Sequence, residues 1–500
     1  MDDRSSGVNG ISLRALLPRA EFVGASDIRV LSCCADSRCC TTGDLFAALP
    51  GATTDGHDHT LDAVTRGARG VLVQRRIPGL EIPQCVVPNS REAYGKICQH
   101  LAGDPSRRLK VIGVTGTNGK TTTSHLVASI LDAAGHHAAV MGTLGYYDGE
   151  ALGPSPLTTP TPPAIARWLA RSETNGCSHA VLEVSSHALA QARVAGVDFN
   201  VVAVTNVRHD HLDYHGTIEN YRGAKERILE ALSSDGMAVI NSDCEVASEF
   251  LNRFGGPALT VGIHGAAEVT ATPLEQFQSE QTFLLTAGQE SIPVRTRLIG
   301  THNIYNCLVA TAIGLAYDID LATIARGMES LSKMPGRLER LDCGQPFGVF
   351  VDYAHTDDAL AICLDTLRKV TDRRLICLFG AGGDRDAFKR PLMGRAVESR
   401  ADLAVITSDN PRSEQPESIA KEILRGFRHP HRAHVELDRN AAIAWALGVA
   451  RPGDCVLIAG KGHEEYQIVG ADRLQCDDRE LARQWLYDNP YMPTKLKAAG

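Results

Sequence analysis

A glycine-rich segment with one lysine is the clearest chemical feature of the chain. The run Gly116-Thr117-Asn118-Gly119-Lys120-Thr121 separates an apolar, β-branched segment from an apolar pattern with helical spacing. Glycines let backbone N–H groups converge on phosphate oxygens, and a helix N-terminus adds about half a positive charge. A lysine in this position reaches the terminal phosphates of a nucleotide, and the hydroxyl after it ligates Mg²⁺. The segment therefore predicts a phosphate-binding loop.

A carboxylate follows a second apolar segment. Glu183 lies at the end of Ala180–Val184, which reads as a buried strand. A carboxylate at the tip of a strand beside a phosphate-binding loop is a typical ligand for the metal of a bound nucleotide. The alternative is a capping or paired structural glutamate, since a buried glutamate is unusual without a partner.

A third polar cluster follows the apolar segment Asn200–Thr205. Three histidines and two aspartates fall within residues 209–215, which include His211. Imidazole and carboxylate groups at the end of a strand indicate metal or phosphate chemistry. A solvated polar loop is the alternative, because loops commonly carry such residues without a ligand.

The elements that must position these groups form two series of apolar strands alternating with helical patterns. This alternation predicts an α/β protein with mostly parallel sheets covered on both faces. Ligands bind at the carboxyl ends of the strands in such sheets. In the first series we predict strands at Leu109–Val114, Ala180–Val184 and Asn200–Thr205 and a helix at Thr121–Ala134; in the second, strands at Val349–Asp352, Leu375–Phe379, Leu403–Thr407 and Cys455–Ala459 and helices at Pro391–Ser399 and Ile419–Phe427.

Length and composition bound the remaining possibilities. A chain of 500 residues suggests about three domains, and we place them at residues 1–107, 108–333 and 334–500. The net charge of −8 gives no support to nucleic-acid binding. No apolar run approaches the roughly 18 residues that span a bilayer, and the polar N-terminus does not resemble a secretory signal. We therefore expect a cytoplasmic protein without membrane insertion.

The fourteen cysteines include two adjacent pairs, Cys33-Cys34 and Cys39-Cys40. Adjacent residues in an extended segment point to opposite faces. The spacing matches no ordinary zinc pattern, so free thiols are the expected state and zinc is the alternative.

Together, three motifs resemble the Mur ligase family: the phosphate loop, the E-V-S-S-H run at Glu183 and the D-H-L-D run at Asp210. The resemblance implies an ATP-dependent ligase that forms amide bonds in cell-wall precursors. It also implies three domains: a small N-terminal α/β domain for the UDP-sugar substrate, a central P-loop ATPase-type parallel sheet, and a C-terminal Rossmann-like doubly wound sheet. Later matches are the G-x-x-N-x-x-N run ending at Asn306 and the P-G-R-x-E run at Arg337.

The resemblance also implies roles for individual residues. Catalytic roles go to Lys120, Glu183, His211 and Lys225, and two Mg²⁺ ions would be held by Thr121, Glu183, His211 and Lys225 as a carbamate. ATP-binding roles go to Gly116, Thr117, Asn118, Gly119, Lys120, Thr121, Thr122, Asn306, Arg337 and Asp352. Roles in binding UDP-MurNAc-L-Ala-D-Glu go to Ala35, Ser37, Ala52, Thr53, Thr54, Thr158, Thr159, Ser185, Gln191 and Arg193.

The run Asp409-Asn410-Pro411-Arg412 resembles the signature of family members that add meso-diaminopimelate. An arginine pairs bidentately with a carboxylate, and diaminopimelate carries a distal carboxylate that lysine lacks. The implied reaction joins meso-diaminopimelate to the γ-carboxylate of D-glutamate through an acyl phosphate. The residues implied for diaminopimelate are Arg385, Asp409, Asn410, Pro411, Arg412, Gly460 and Glu464.

Three alternatives stay open on the sequence. One is the same fold adding L-lysine or another amino acid, and another is a folylpolyglutamate-type ligase. The third is a nucleotide-binding regulator without ligase activity, against which the set of Lys120, Glu183, His211 and Lys225 argues. We expect small-molecule partners only and a monomer.

Overall fold

A computed structural model of the chain describes residues 10–51 and 54–490. In that part of the chain, three large β-sheets with helices on their faces follow one another, and two further strand pairs stand apart from them. The predicted α/β class with parallel sheets is confirmed. The domain boundaries at residues 107 and 333 stay predictions.

The N-terminal sheet has five strands. Its first pair is antiparallel and the others are parallel. In spatial order the strands are Glu21–Val23, Gln84–Val86, Gly70–Val73, Leu45–Ala47 and Cys33–Cys34. The small strands Ile11–Ser12 and Arg29–Val30 pair separately, and the helices are Leu13–Leu16, Thr60–Thr65 and Ser90–Leu101, with 3-10 turns at Ser37–Cys39, Gly56–His59 and Pro105–Arg107.

The central sheet has eleven strands, parallel through its middle and antiparallel at both edges. In spatial order they are Leu152–Gly153, Gly145–Tyr147, Ala138–Gly142, His179–Glu183, Lys110–Thr115, Phe199–Val204, Leu232–Asn241, Ala258–Gly262, Val269–Gln276, Gln281–Ala287 and Glu290–Thr296. Its helices are Lys120–Ala133, Pro162–Thr174, Ser186–Ala190, Leu212–His215, Ile218–Glu226, Glu245–Arg253, Thr301–Leu315 and Leu321–Ser330, with a 3-10 helix at Arg227–Ala231.

The C-terminal sheet has six strands, all parallel except the first pair. In spatial order they are Glu339–Arg340, Gly348–Asp352, Cys455–Ala459, Leu375–Phe379, Leu403–Ile406 and His434–Val435. The helices are Asp357–Arg368, Lys389–Glu398, Pro416–Leu424, Arg439–Val449 and Asp478–Asp488, with a 3-10 turn at Pro430–Arg432 and a hairpin of Tyr466–Val469 with Asp472–Gln475.

The central strands bury side chains on both faces, which is why they read as continuous apolar runs. Ile112 packs in one core cluster with the helices Lys120–Ala133 and Thr301–Leu315. Val111, the next residue along, packs in the opposite cluster with the helix Pro162–Thr174. The phosphate loop and Glu183 are therefore anchored to strands held from two sides.

The predicted strands appear within one residue of their expected ends, and Leu375–Phe379 and Cys455–Ala459 match their predicted bounds. The two C-terminal helices start two or three residues early, at Lys389 and Pro416. The antiparallel strands from Val269 to Thr296 were not anticipated. Their burial alternates and their polar faces are exposed, so they lack the continuous apolar signal of the parallel strands.

Side chains also join one sheet unit to the next. The Arg337 guanidinium, ahead of the C-terminal sheet, lies 3.3 Å from the Thr121 hydroxyl. The Gln278 amide donates to the carbonyl of Val370 at 3.0 Å. None of the helices in the described ranges is both long and apolar enough to cross a bilayer.

Candidate active site

The phosphate loop joins the strand Lys110–Thr115 to the helix Lys120–Ala133. Gly119 has a φ of +87°, and a β-carbon there would lie 2.3 Å from Oδ1 of Asn306. At Gly116, with φ +152°, a β-carbon would lie 1.9 Å from the Thr205 hydroxyl. Only glycine fits these two positions, so the cradle depends on them.

Lys120 is held by its own loop. Its ammonium donates to the carbonyl oxygens of Gly116 at 2.9 Å and Thr117 at 3.0 Å. Burial lowers the pKa of Lys120, against the opposing charges of Glu183 and Asp210. A phosphate that takes this ammonium must replace the two carbonyl contacts.

Glu183 ends the strand beside the phosphate loop and is fully buried. Its Oε2 accepts from the Thr121 hydroxyl at 2.9 Å and from the Thr143 hydroxyl at 3.0 Å. Its Oε1 accepts from the backbone N–H of Thr143 at 2.8 Å. A β-carbon at Gly142 would lie 2.0 Å from Oε1, so this glycine makes room for the carboxylate.

Lys225 is buried on the helix Ile218–Glu226, unlike an ordinary surface lysine. Its ammonium lies over the Tyr221 ring, 4.9 Å from the centroid. Burial and the nearby charge of Lys120 lower the pKa of Lys225 well below its ordinary value, against an opposing effect of Asp210. These surroundings favour the neutral amine.

His211 has a left-handed backbone, with φ +53°. Its Nε2 lies 3.4 Å from a carboxylate oxygen of Asp210, and its ring stands edge-on to His187 at 4.8 Å between centroids. Burial lowers the pKa of His211 to about 4. A neutral imidazole is the form that ligates a metal.

Residues from beyond the loop complete a cavity of about 530 Å³. Asn306 accepts from the Thr123 hydroxyl at 3.3 Å. Arg337 lies over the Tyr353 ring at 4.7 Å. Asp352 accepts from the backbone N–H groups of Leu338 at 2.6 Å and Ala354 at 2.7 Å. Among the residues assigned to ATP and metal, those that line the cavity are Thr117, Asn118, Gly119, Lys120, Thr121, Thr122, Glu183, His211, Asn306, Arg337 and Asp352.

The residues assigned to the UDP-sugar substrate fall into two groups. One lies on the central sheet and is internally connected: the Thr159 hydroxyl donates to the Glu183 carbonyl at 2.7 Å, and Arg193 donates to the Thr159 carbonyl at 2.7 Å and to the Gln191 amide oxygen at 2.9 Å. Ser185 accepts from the Ala188 N–H, and Thr158 lies 3.2 Å from Thr143. This group borders Glu183.

The second group lies on the N-terminal sheet unit. Ser37 is buried in a 3-10 turn, Ala35 is half-buried and Thr54 is exposed. Ala52 and Thr53 lie outside the described residues. None of the hydrogen bonds in the described ranges joins Ala35, Ser37 or Thr54 to the group beside Glu183.

The residues assigned to diaminopimelate lie at the carboxyl edge of the C-terminal sheet. The Asn410 amide donates to Oε2 of Glu464 at 3.1 Å and accepts from the Ile468 N–H at 2.9 Å. The fully buried Lys461 ammonium lies 3.4 Å from both the Asn410 and Glu464 oxygens. Tyr353, from the nucleotide cavity, donates to Glu464 at 3.5 Å.

The side chains of Arg412 and Asp409 are available to bond a ligand. The guanidinium of Arg412 donates to the main-chain carbonyls of Gly383 at 2.7 Å and Asn410 at 3.4 Å. Oδ2 of the buried Asp409 has no hydrogen-bond partner among the described residues, and a β-carbon at Gly460 would lie 2.6 Å from it. Arg385 is exposed and donates weakly to the Asp384 carbonyl, and the buried Pro411 sets the turn before Arg412.

The donor set fits Mg²⁺. A fully buried carboxylate and two threonine hydroxyls are oxygen donors that suit a hard cation, and Glu183 takes its bonds from neutral donors. The neutral imidazole of His211 is available as a further, softer ligand. Two residues of the site were not expected from the sequence: Thr143, which supplies two of those bonds, and Lys461, whose ammonium lies 3.4 Å from Asn410. A threonine after an apolar strand gives no motif, whereas Lys461 directly follows Gly460, one of the residues assigned to diaminopimelate.

Three family models match successive parts of the chain: "Mur ligase family, catalytic domain" at residues 30–100, "Mur ligase middle domain" at 114–314, and "Mur ligase, glutamate ligase domain" at 336–462. A curated UDP-N-acetylmuramoyl-L-alanyl-D-glutamate–2,6-diaminopimelate ligase of Geobacillus thermodenitrificans is 42% identical over 455 residues. That match spans 90% of this chain and 93% of the relative.

Solved structures agree. A UDP-N-acetylmuramoyl-L-alanyl-D-glutamate–2,6-diaminopimelate ligase is 32% identical with a TM-score of 0.70, over 97% of this chain and all of that one. Mycobacterium tuberculosis folylpolyglutamate synthase, complexed with ADP, is 22% identical with a TM-score of 0.62, over 74% of this chain and 91% of that one. The second likeness shows the fold alone.

Proposed function

The chain belongs to the Mur ligase family, and from that premise we propose that it joins meso-diaminopimelate to UDP-MurNAc-L-Ala-D-Glu with ATP as co-substrate. Relatives named for this reaction match it over about nine-tenths of its length. The products are the tripeptide precursor of peptidoglycan, ADP and phosphate. ATP is held inside cells, so the proposed location is the cytoplasm. The proposed oligomeric state is a monomer, because one chain supplies every proposed site residue.

The observation that carries the proposal is the position of Tyr353. This residue lines the nucleotide cavity, lies beneath the Arg337 guanidinium at 4.7 Å, and reaches Glu464 with its hydroxyl at 3.5 Å. Tyr353 thus lies between the nucleotide cavity, with its phosphate loop, and the Asn410–Glu464 cluster. A carboxylate activated at the phosphate loop meets an amine bound at that cluster.

The reaction has two steps. The γ-carboxylate of D-glutamate attacks the terminal phosphorus of ATP, the bond to ADP breaks, and an acyl phosphate forms. The free amine of diaminopimelate then attacks the acyl carbon, phosphate leaves, and the nitrogen loses a proton. Lys120 and Arg337 offset the negative charge that builds on the transferred group. Mg²⁺ at Thr121, Glu183, His211 and Lys225 supplies further charge neutralisation when bound.

Lys225 would serve as a carbamate. Its amine nitrogen attacks the carbon of CO₂ and releases one proton, which converts a buried cation into an anionic oxygen ligand for a hard metal. The lowered pKa supports this step because only the neutral amine is nucleophilic. In ¹³C-bicarbonate, we expect a carbamate carbon resonance in the wild-type protein and none in Lys225→Arg.

Selectivity for diaminopimelate is assigned to Arg412 with Arg385. Their guanidiniums pair with the distal carboxylate, while Glu464, Asp409 and Asn410 receive the distal ammonium. Lysine would leave Arg412 with main-chain carbonyls alone. The site would then bind lysine without its bidentate partner, which costs several kcal/mol at a partly buried charge.

The deciding experiment supplies the purified protein with ATP, Mg²⁺ and UDP-MurNAc-L-Ala-D-Glu. Parallel reactions receive meso-diaminopimelate or L-lysine, and product masses are measured. A product with diaminopimelate alone supports the whole proposal. A lysine product of equal yield would keep the ligase and remove the assigned selectivity, and no product from a folded, ATP-binding protein would overturn the reaction.

A further inference from the structure

The cysteine-rich part of the N-terminal sheet unit brings two thiols and a carboxylate together. Cys34 ends the strand Cys33–Cys34, Cys40 follows the 3-10 turn Ser37–Cys39, and Asp44 precedes the next parallel strand. The two sulfur atoms and one Asp44 oxygen all lie within 4.8 Å of one another. Among residues 10–51 and 54–490, it is the one group of three or more His, Cys, Asp or Glu side chains whose ligand atoms lie this close together.

Asp44 is a buried carboxylate whose neighbours are neutral. It is 6% exposed, and its Oδ2 accepts from the backbone N–H of Thr41 at 2.7 Å and from the Thr41 hydroxyl at 2.9 Å. Its other oxygen accepts from the Ser32 hydroxyl. Hydrogen bonds of this kind fix the orientation of a metal-ligating carboxylate. A buried negative charge with no cationic partner is costly, so a cation beside it is favoured.

The two thiols lie together beside the Asp44 carboxylate. Burial, with a further contribution from the Asp44 charge, raises the pKa of both Cys34 and Cys40. A second pair of thiols, Cys33 and Cys98, lies on the other side of the strand and takes no part in this group. Their sulfur atoms are 3.8 Å apart. Cys34 and Cys40 therefore form a site of their own with Asp44.

We propose that Cys34, Cys40 and Asp44 form a binding site for a soft divalent cation of the Zn²⁺ class. Two thiolate sulfurs and one carboxylate oxygen are an established donor set for zinc and a poor one for Mg²⁺. Binding deprotonates both thiols, so each cation taken up releases two protons to solvent. A solvent oxygen in the fourth position would complete a tetrahedral site.

The site would brace the turn that carries Ser37, which lies between the two cysteines in the chain. This consequence rests on the proposed function, in which Ser37 contacts the UDP-sugar substrate. Removal of the cation is expected to raise KM for that substrate several-fold and to leave KM for ATP unchanged. Cation binding itself requires no activity, so the two ideas fail separately.

The test uses the full-length protein, reduced and freed of metal, titrated with Co²⁺ and then with Zn²⁺. We expect one equivalent of Co²⁺ to produce a sulfur-to-cobalt charge-transfer band and tetrahedral visible absorption, both lost when Zn²⁺ displaces it. Cys34→Ser and Cys40→Ser should weaken Zn²⁺ binding by at least about 100-fold. Cys98→Ser, which alters the thiol pair on the opposite side, should bind as the wild type does.

X-ray absorption of the wild-type zinc complex provides a readout that depends on no variant. Two sulfur ligands at the bond length typical of zinc–thiolate support the site. A coordination shell without sulfur, no stoichiometric binding by the wild type, or a charge-transfer band that survives in both Cys34→Ser and Cys40→Ser would overturn it.

Discussion

The phosphate loop and the Asp409–Arg412 loop both follow parallel strands at the carboxyl edge of a sheet, but they satisfy their polar groups differently. In the first, Lys120 is bonded to two loop carbonyls and Glu183 accepts three hydrogen bonds. In the second, a buried oxygen of Asp409 has no hydrogen-bond partner in the part of the chain that the structure describes, and Arg412 donates to main-chain carbonyls.

The difference separates two kinds of recognition. At the phosphate loop a ligand must replace hydrogen bonds that the protein already makes internally, so the net gain in binding free energy is modest. Catalysis there depends on how well the site stabilises charge in the transition state. At the Asp409–Arg412 loop the proposed ligand supplies a carboxylate for Arg412, which otherwise donates to main-chain carbonyls. Its ammonium pairs with the Asp409 oxygen that has no hydrogen-bond partner among the described residues. Under the proposed function we therefore assign discrimination between amino acids to the second loop, because a ligand that lacks one partner leaves a polar group unsatisfied.

The largest effect is expected from Lys120→Ala. Loss of this ammonium should lower kcat by about 10²–10³-fold, as for removal of a preorganised donor to a charged transition state. Product formation with saturating substrates is the measurement. Lys110→Ala, at the exposed opposite end of the same strand, is the control and should keep wild-type turnover. Equal losses in both variants would assign the effect to the strand instead of the ammonium.

Arg412→Ala should raise KM for diaminopimelate by about 10- to 100-fold, the range for a lost hydrogen bond between charged groups. KM for ATP should not change, because Arg412 lies outside the nucleotide cavity. Steady-state kinetics with each substrate varied in turn gives both values. Arg425→Ala, at the end of the helix Pro416–Leu424, serves as the control. Unchanged KM for diaminopimelate would remove the contrast between the two loops.

Thr143→Val tests whether the internal bonds of the nucleotide site matter. The change removes the hydroxyl 3.0 Å from Glu183 and keeps the backbone N–H at 2.8 Å. Loss of one hydrogen bond worth about 1–1.5 kcal/mol predicts a fall in kcat/KM for ATP of about 5- to 10-fold. Thr143→Ser restores the hydroxyl and should recover most of the activity. A valine variant with full activity would show that Glu183 is positioned without this bond.

At the amino end of the central strands, opposite the phosphate loop, a substitution should change the stability of the protein and leave both binding loops unaffected. His179 begins the strand that Glu183 ends, and burial lowers its pKa from 6.5 to about 4. The unfolded chain therefore binds a proton first as the pH falls, so stability is lost between those values, by at most about 3 kcal/mol. Urea unfolding near neutrality and at about pH 5 measures this loss. His179→Gln should show a smaller loss with kinetics like those of the wild type.

Much of the fold followed from local patterns. The strands Leu375–Phe379 and Cys455–Ala459 were predicted to the residue because a strand buried on both faces is apolar throughout. The phosphate loop was equally visible, since glycines, one lysine and one threonine occur in consecutive positions. The antiparallel strands from Val269 to Thr296 were missed because their exposed faces interrupt the apolar signal.

The sequence by itself determined the chemistry available: a strand that ends in Glu183, a loop with Asp409 after another strand, and a lysine that follows glycines. It did so because backbone periodicity and short motifs are local properties. Only the tertiary structure decided the surroundings of Lys225, the two bonds from Thr143 to Glu183, and the approach of Asp44 to Cys34 and Cys40. Burial and contact between distant segments depend on how whole elements pack, and no local pattern of residues carries that information.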